Sequence, residues 1–159
     1  MNPVPARIRP MTPADLDRVM EIAGSLKDAP HWPLAVYQAA LHPQSVPRRI
    51  ALVAEDAVTG GLVGFAVASV VGAQAELESI AVAAEGQRRG MGAGLLAVLV
   101  EELKRSQVDE LLLEVRASNG QALEFYRRRG FSQSGRRPRY YADPVEDALL
   151  LALPLDKQL

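Results

Sequence analysis

The 159-residue sequence predicts one mixed α/β (α+β) domain: a mostly antiparallel sheet of six to seven strands flanked by about four helices. Three observations carry that expectation. The length matches one domain of roughly 150 residues. The 48% of apolar residues supplies a core without disulfides or structural metal. Apolar periodicity switches between the helical and strand periods in the order β-α-α-β-β-β-α-β-α-β-β, with no internal repeat.

A first strand is allowed at Arg7 to Arg9. Thr12-Pro13-Ala14-Asp15 then starts a helix, with threonine at the N-cap, proline at N1 and an acid at N3, and Leu16, Val19, Met20 and Ala23 continue it until near Gly24. Pro30 to Pro33 mark a loop, Leu34 to Leu41 a short second helix, and Pro43 to Pro47 a break. Ile50 to Ala54 and Leu62 to Val71 are apolar runs joined across Glu55 to Gly61 as a hairpin.

The next strand, Gln74 to Val82, slips phase. Ala75 and Leu77 are apolar at odd positions, Ile80 and Val82 at even ones. A one-residue slip turns side chains to the other face, so either a β-bulge near Glu78 and Ser79 keeps both sets inward or the strand ends there in a loop. Leu95, Leu96, Leu99, Val100 and Leu103 stripe a helix from Gly90 to Ser106, and Glu110 to Val115 is a strand covered on both faces. Asn119 caps a helix carrying Leu123, Phe125 and Tyr126 that stops at Gly130. Phe131 to Ser134 and Asp147 to Leu153 close the sheet around an Arg- and Tyr-rich loop.

Composition narrows the function. Eighteen basic against nineteen acidic residues leave a formal charge of −1, which makes no general case for nucleic acid or an anionic membrane, so any polyanion site is local. With no cysteine there is no thiol nucleophile or thiolate zinc site, and two histidines argue against a metal centre. The N-terminal stretch has no apolar core and does not read as a secretory signal. The longest apolar runs are far short of the about 20 residues of a membrane span, so a cytoplasmic protein, monomeric or weakly dimeric, is expected.

One loop has a chemical logic of its own. Gln87-Arg88-Arg89-Gly90-Met91-Gly92-Ala93-Gly94 joins a strand to an apolar-striped helix. Glycines admit an anion close to backbone N–H groups, and a helix start adds partial positive charge, as a diphosphate requires. No Gly-Lys-Ser/Thr follows, and Leu95 stands where a dinucleotide fingerprint needs its third glycine. In isolation such a loop is more often a plain turn.

Gln87-x-x-Gly90-x-Gly92 after Ile80-Ala81-Val82 resembles the acetyl-CoA signature of the GNAT (Gcn5-related N-acetyltransferase) superfamily. Leu113-Glu114-Val115-Arg116-Ala117-Ser118-Asn119, Ala122 to Tyr126, Gly130-Phe131, Tyr140-Tyr141 and Glu146-Asp147-Ala148 resemble its RimI subfamily, the ribosomal-protein-alanine N-acetyltransferases. The resemblance implies a sheet splayed between its fourth and fifth strands, with acetyl-CoA wedged there as cosubstrate and no metal. It implies main-chain contacts to the cofactor from Ile80, Ala81 and Val82, a pyrophosphate held by Arg88, Arg89, Gly90, Met91, Gly92 and Ala93, and a contact from Asn119. It further implies Glu114 as base and Tyr126 as acid. From the residues alone, Glu114 reads equally as an ion-pair partner of an arginine, and Tyr126 as core packing.

With no cysteine to carry an acyl group, direct attack in a ternary complex is expected. An α-amine has a pKa about 2.5 units below that of lysine, so it reaches its neutral form with a weaker base. A protein N-terminus is therefore the preferred acceptor, and the subfamily implies the N-terminal alanine of the small-subunit ribosomal protein numbered eighteen. A lysine or small-molecule acceptor, and a non-catalytic acyl-CoA module, are the alternatives. The chain departs from the subfamily at Ala23, where a second acid is usual, at His31-Trp32-Pro33, and at Pro138-Arg139. Six arginines among residues 127–139 read as a solvated helix end and basic loop, or as a phosphate or ribosome contact.

Overall fold

The structure, a computed structural model, describes residues 6–26 and 29–156; the N-terminal stretch of residues 1–5 lies outside them. Seven strands form one sheet in the order β1-β2-β3-β4-β5-β7-β6. They are β1 (Ala6–Pro10), β2 (Arg48–Asp56), β3 (Leu62–Val71), β4 (Gln74–Val82), β5 (Glu110–Arg116), β6 (Ser132–Tyr141) and β7 (Glu146–Pro154). The helices are α1 (Leu16–Ser25), α2 (Leu34–Leu41), α3 (Met91–Arg105) and α4 (Gly120–Arg128). Every strand pair is antiparallel except β4–β5.

The two faces of the sheet carry separate cores. On one, Leu95, Leu96, Leu99 and Leu103 of α3 and Leu123 of α4 pack on Leu52, Ala66, Leu111 and Leu151. On the other, Leu16, Val19 and Ile22 of α1 and Tyr37 of α2 pack on Val53, Phe65, Val67 and Ala81. Successive strand residues alternate between these cores, as the pleat requires. Gly64 shows how closely α3 approaches, since a Cβ there would lie 3.2 Å from Leu95 Cδ1.

The expected helix start is present in altered form. Pro13–Asp15 make a 3-10 turn that leads into α1. The Asp15 carboxylate accepts from the Thr12 N–H at 2.8 Å and from Nη1 and Nη2 of Arg9, each at 2.8 Å. The Arg9 hydrogen bonds outweigh the burial of Asp15 and hold its carboxyl down to about 2. A carboxyl depressed from about 3.8 contributes stability above pH 4 and loses it as pH falls towards 2. Asp15→Asn is therefore expected to cost about 2 kcal/mol at pH 7. In urea unfolding, the gap to wild type should narrow from pH 4 downwards; a gap constant with pH would show that the ion pair is not its source.

The phase slip in β4 is a bulge. Val67 of β3 pairs with Ser79, whereas Ala68 pairs with Leu77, so Glu78 is the extra residue. Leu77 and Ile80 thereby both face the α3 side, while Ser79 and Ala81 face the α1–α2 side. Arg49 grips the bulged Glu78 with Nε on Oε1 at 2.8 Å and Nη2 on Oε2 at 3.3 Å.

The β4–β5 ladder has three rungs: Gln74 with Glu110, Ala75 with Leu111, and Glu76 with Leu112. Both strands continue, to Val82 and to Arg116, without pairing to each other. This is the splay that the resemblance implied.

The element that departs furthest from its pattern is β6. The strand read at Phe131 to Ser134 extends to Tyr141, so half of the expected basic loop is strand. Most of β6 is exposed and polar, and its pairing with β7 shifts register around Ser134 and between Arg137 and Tyr141. Pro138, which has no N–H to give, falls in the second interruption, as proline in a strand does. There the Arg139 N–H turns to Asp147 Oδ1 at 2.9 Å.

Candidate active site

A cavity of about 720 Å³ opens where β4 and β5 part. Its walls include Leu77 to Val82 of β4, Leu113 to Arg116 of β5, Phe125 and Tyr126 of α4, Trp32 before α2, and Tyr140 and Tyr141 at the end of β6. Glu114 and Tyr126 both line it, from opposite sides of the sheet. Leu113 and Val115 are buried in the α3-side core, so Glu114 between them stands on the α1–α2 face. Tyr126 belongs to the α3-side core itself. The parted strands are the passage between them.

Each side chain has a defined setting. Glu114, 22% exposed, forms an ion pair with Arg137 Nε at 3.3 Å, and that arginine is 56% exposed at the rim. A side-chain hydrogen bond to Glu114 also raises Tyr140 above the usual phenol range. The ion pair expected for Glu114 thus exists, with Arg137 as its partner; Arg116 pairs with Glu146 instead, at 3.4 Å. Tyr126 is 8% exposed, edge-on to Phe125 at 5.2 Å and to Phe131 at 5.3 Å. Burial pushes its hydroxyl up to about 12, so it stays protonated through the neutral range and can give a proton but not take one.

The glycine loop is shaped by two left-handed residues, Arg88 at φ 62° and Gly90 at φ 77°. Gly90 is the N-cap of α3, and its carbonyl takes the first helical bond, from the Gly94 N–H at 2.9 Å. The N–H groups of Met91, Gly92 and Ala93 therefore have no intrahelical acceptor. Left-handed residues interleaved with right-handed ones turn successive N–H groups towards one point, the geometry of an anion nest. The Met91 side chain is buried and anchors the turn.

Arg89 is committed elsewhere, to Asp56 Oδ2 at 3.0 Å, where Asp56 also accepts from the Val58 N–H at 2.8 Å. Arg88 has no ion pair among the described residues. Of the expected cofactor residues, Ile80, Ala81, Val82, Gly92 and Asn119 line the cavity, while Arg88, Arg89, Gly90, Met91 and Ala93 lie beyond its wall at the head of α3. Asn119 spends its Oδ1 on capping α4, accepting from the Ala122 N–H at 3.1 Å, which leaves its Nδ2 for another partner. Gln87 Nε2 donates to the Val82 carbonyl at 3.0 Å and ties the loop to the end of β4.

Sequence reasoning passed over several wall residues. Trp32, within the stretch Pro30 to Pro33 that the sequence marks as a loop, packs on Tyr37 with ring centroids 5.2 Å apart and also lines the cavity. Tyr140 and Tyr141 arrive through the unexpected length of β6. Glu76 and Ser79 flank the slip in β4, and that slip was the available signal. Ser79 is 4% exposed and its Oγ has no hydrogen-bond partner among the described residues. A buried hydroxyl left so costs about 1–3 kcal/mol.

A sheet split at its parallel pair, with an anion nest at one end of the split and a carboxylate and a buried phenol lining it from opposite faces, defines a class. The acetyltransferase (GNAT) family model matches residues 16–131, and the chain belongs to that family. Within it, the chain is 43% identical over 98 residues to the [ribosomal protein bS18]-alanine N-acetyltransferase of Escherichia coli strain K12, a match spanning 60% of this chain and 66% of that one. The crystal structure of the ribosomal-protein-S18-alanine N-acetyltransferase from Escherichia coli superposes with a TM-score of 0.84 at 31% identity, covering 98% of this chain and 97% of that chain. The ribosomal-protein-alanine N-acetyltransferase from Brucella melitensis superposes with a TM-score of 0.81 at 26% identity, covering 94% and 99%. No helix among the described residues is long and apolar enough to cross a membrane.

Proposed function

We propose that the protein transfers acetyl from acetyl-CoA to a protein N-terminal α-amine, that of the alanine heading ribosomal protein bS18, by direct attack in a ternary complex. The observation that carries this reading is the approach of Glu114 and Tyr126 to one cavity from opposite faces of the parted sheet. The residues fit the cofactor. The β5-facing edge of β4 beyond Glu76 has no strand partner, and an extended ligand can add to such an edge as a strand would. Ile80, Ala81 and Val82 lie along it, the nest of residues 88–93 suits a diphosphate, and Asn119 Nδ2 is available from α4.

Acetyl-CoA, when bound, supplies the acetyl group as a thioester. Glu114 takes a proton from the acceptor ammonium on the α1–α2 side. The neutral nitrogen attacks the thioester carbonyl and the C–S bond breaks; Tyr126 gives its proton to the departing sulfur on the α3 side, and the second proton shed by the nitrogen as the amide forms restores the phenol. The cavity walls hold the two reacting groups together, which replaces a costly bimolecular encounter by an oriented one.

The reading is tested by incubating the protein with acetyl-CoA and a peptide bearing the bS18 N-terminal sequence. Fragmentation mass spectrometry should find one acetyl group, on the α-nitrogen; acetylation of lysine alone, or none, overturns it. Tyr126→Phe should lower kcat about 100-fold with little change in KM. Because Tyr126 remains protonated to about 12, the wild-type rate should show no fall attributable to it below about pH 11, and an alkaline limb near pH 9 that vanished in Tyr126→Phe would contradict its setting.

A further inference from the structure

Three carboxylates stand at the point where β4 and β5 part, and only two of them have a guanidinium. Glu78 is held by Arg49 at 2.8 Å, and Glu114 by Arg137 at 3.3 Å. Glu76, on the last rung of the ladder, has no ion pair or hydrogen bond among the described residues. Glu76 is exposed at the rim; the partial desolvation it feels there, and then the charges of Glu114 and Glu78, hold its carboxyl above the usual range, against a weaker opposing pull from Arg137. The group is one cation short.

A second observation points into the same space. Pairing with Ser69 and with Val67 places Glu76 and Ser79 on one face of β4, the face on which Glu114 stands across the gap. All three line the cavity. The Ser79 Oγ is buried and has no partner among the described residues, whereas buried hydroxyls are ordinarily paired. Removing it would relieve the fold, so its partner is to be sought in what fills the cavity.

We propose that Glu76 and Ser79 are positioning residues for the acceptor. Glu76 receives the protonated α-amine of the incoming peptide as the missing cation, and Ser79 Oγ hydrogen-bonds to that peptide's first residue. The amine is thereby held charged beside Glu114, which takes the proton. Acetylation removes the charge, so the product loses the contact that drew the substrate in. This role rests on the acetyl-transfer reading for its place in a reaction, but its binding contribution is measurable without turnover.

The experiment has two arms. In steady-state kinetics with an alanine-headed bS18 peptide, Glu76→Gln should raise the peptide KM at least 10-fold with kcat and the KM of acetyl-CoA within threefold, and Glu76→Asp should recover part of the loss. A peptide KM within twofold of wild type overturns the proposal. In calorimetry on CoA-loaded protein, wild type should bind the free-amine peptide at least 10-fold more tightly than its Nα-acetylated form, and Glu76→Gln should abolish that preference. If no transfer is seen but the Glu76-dependent preference is, the proposed function fails and this role stands; transfer with a preference that Glu76→Gln leaves intact upholds the function and overturns this role. Ser79→Ala should raise the peptide KM severalfold while leaving Tm equal or higher, and a lowered Tm with unchanged KM would make Ser79 structural only.

Discussion

Glu114→Gln is expected to slow acetyl transfer by about 10²–10⁴-fold while leaving acetyl-CoA affinity unchanged. The substitution keeps the size of the side chain and therefore the β5–β7 register, in which Glu114 faces Leu150. The amide can still bond to Tyr140, but it cannot take a proton from an ammonium. The ion pair that it loses is to a half-exposed arginine and is worth about 0–1 kcal/mol, so Tm should barely move. Single-turnover rates across pH, with cofactor affinity from calorimetry, separate these effects. Retention of the wild-type rate and pH profile would place the base elsewhere.

Phe65→Ala should remove about 3–5 kcal/mol of stability, a large share of the about 5–15 kcal/mol that a domain has. Phe65 is 0% exposed and meets Tyr37 edge-on at 6.3 Å. Its ladder partner is Ala81, one of the residues assigned to the cofactor edge, so the cavity left behind lies directly beneath that edge. At about 2–4 °C per kcal/mol, Tm should fall by roughly 10 °C. Urea unfolding with an unchanged m-value is the direct measurement. A loss below about 1 kcal/mol would mean that α2 and the sheet are not packed as described.

What could be read in advance follows from how far each signal travels along the chain. The slip at Glu78 was legible because it breaks a period of two within one strand, and a broken period needs no partner to be seen; that it is a bulge and not a strand end took the pairing with β3. The Thr12–Asp15 start and the Asn119 cap were legible for the same reason: each is complete within four residues. The length of β6 was not, because an exposed strand carries no apolar alternation and is held chiefly by its pairing with β7. Arg137 opposite Glu114 was hidden with it; the sequence supplied a cluster of arginines, and only register selects one. Glu76 and Ser79 sat beside the detected slip, but their significance depends on β5 failing to pair beyond Leu112, a fact about two distant segments.

The brevity of that three-rung ladder bears on how the width of the opening is set. Backbone bonds do not hold the halves of the sheet apart at the opening; apolar volume does, because one core runs continuously beneath both, from Leu52 and Leu77 through α3 to Leu113 and Leu149. Such interiors are close-packed and yield little. The separation of Glu114 from Tyr126 across the opening is thus set by the girth of that leucine core.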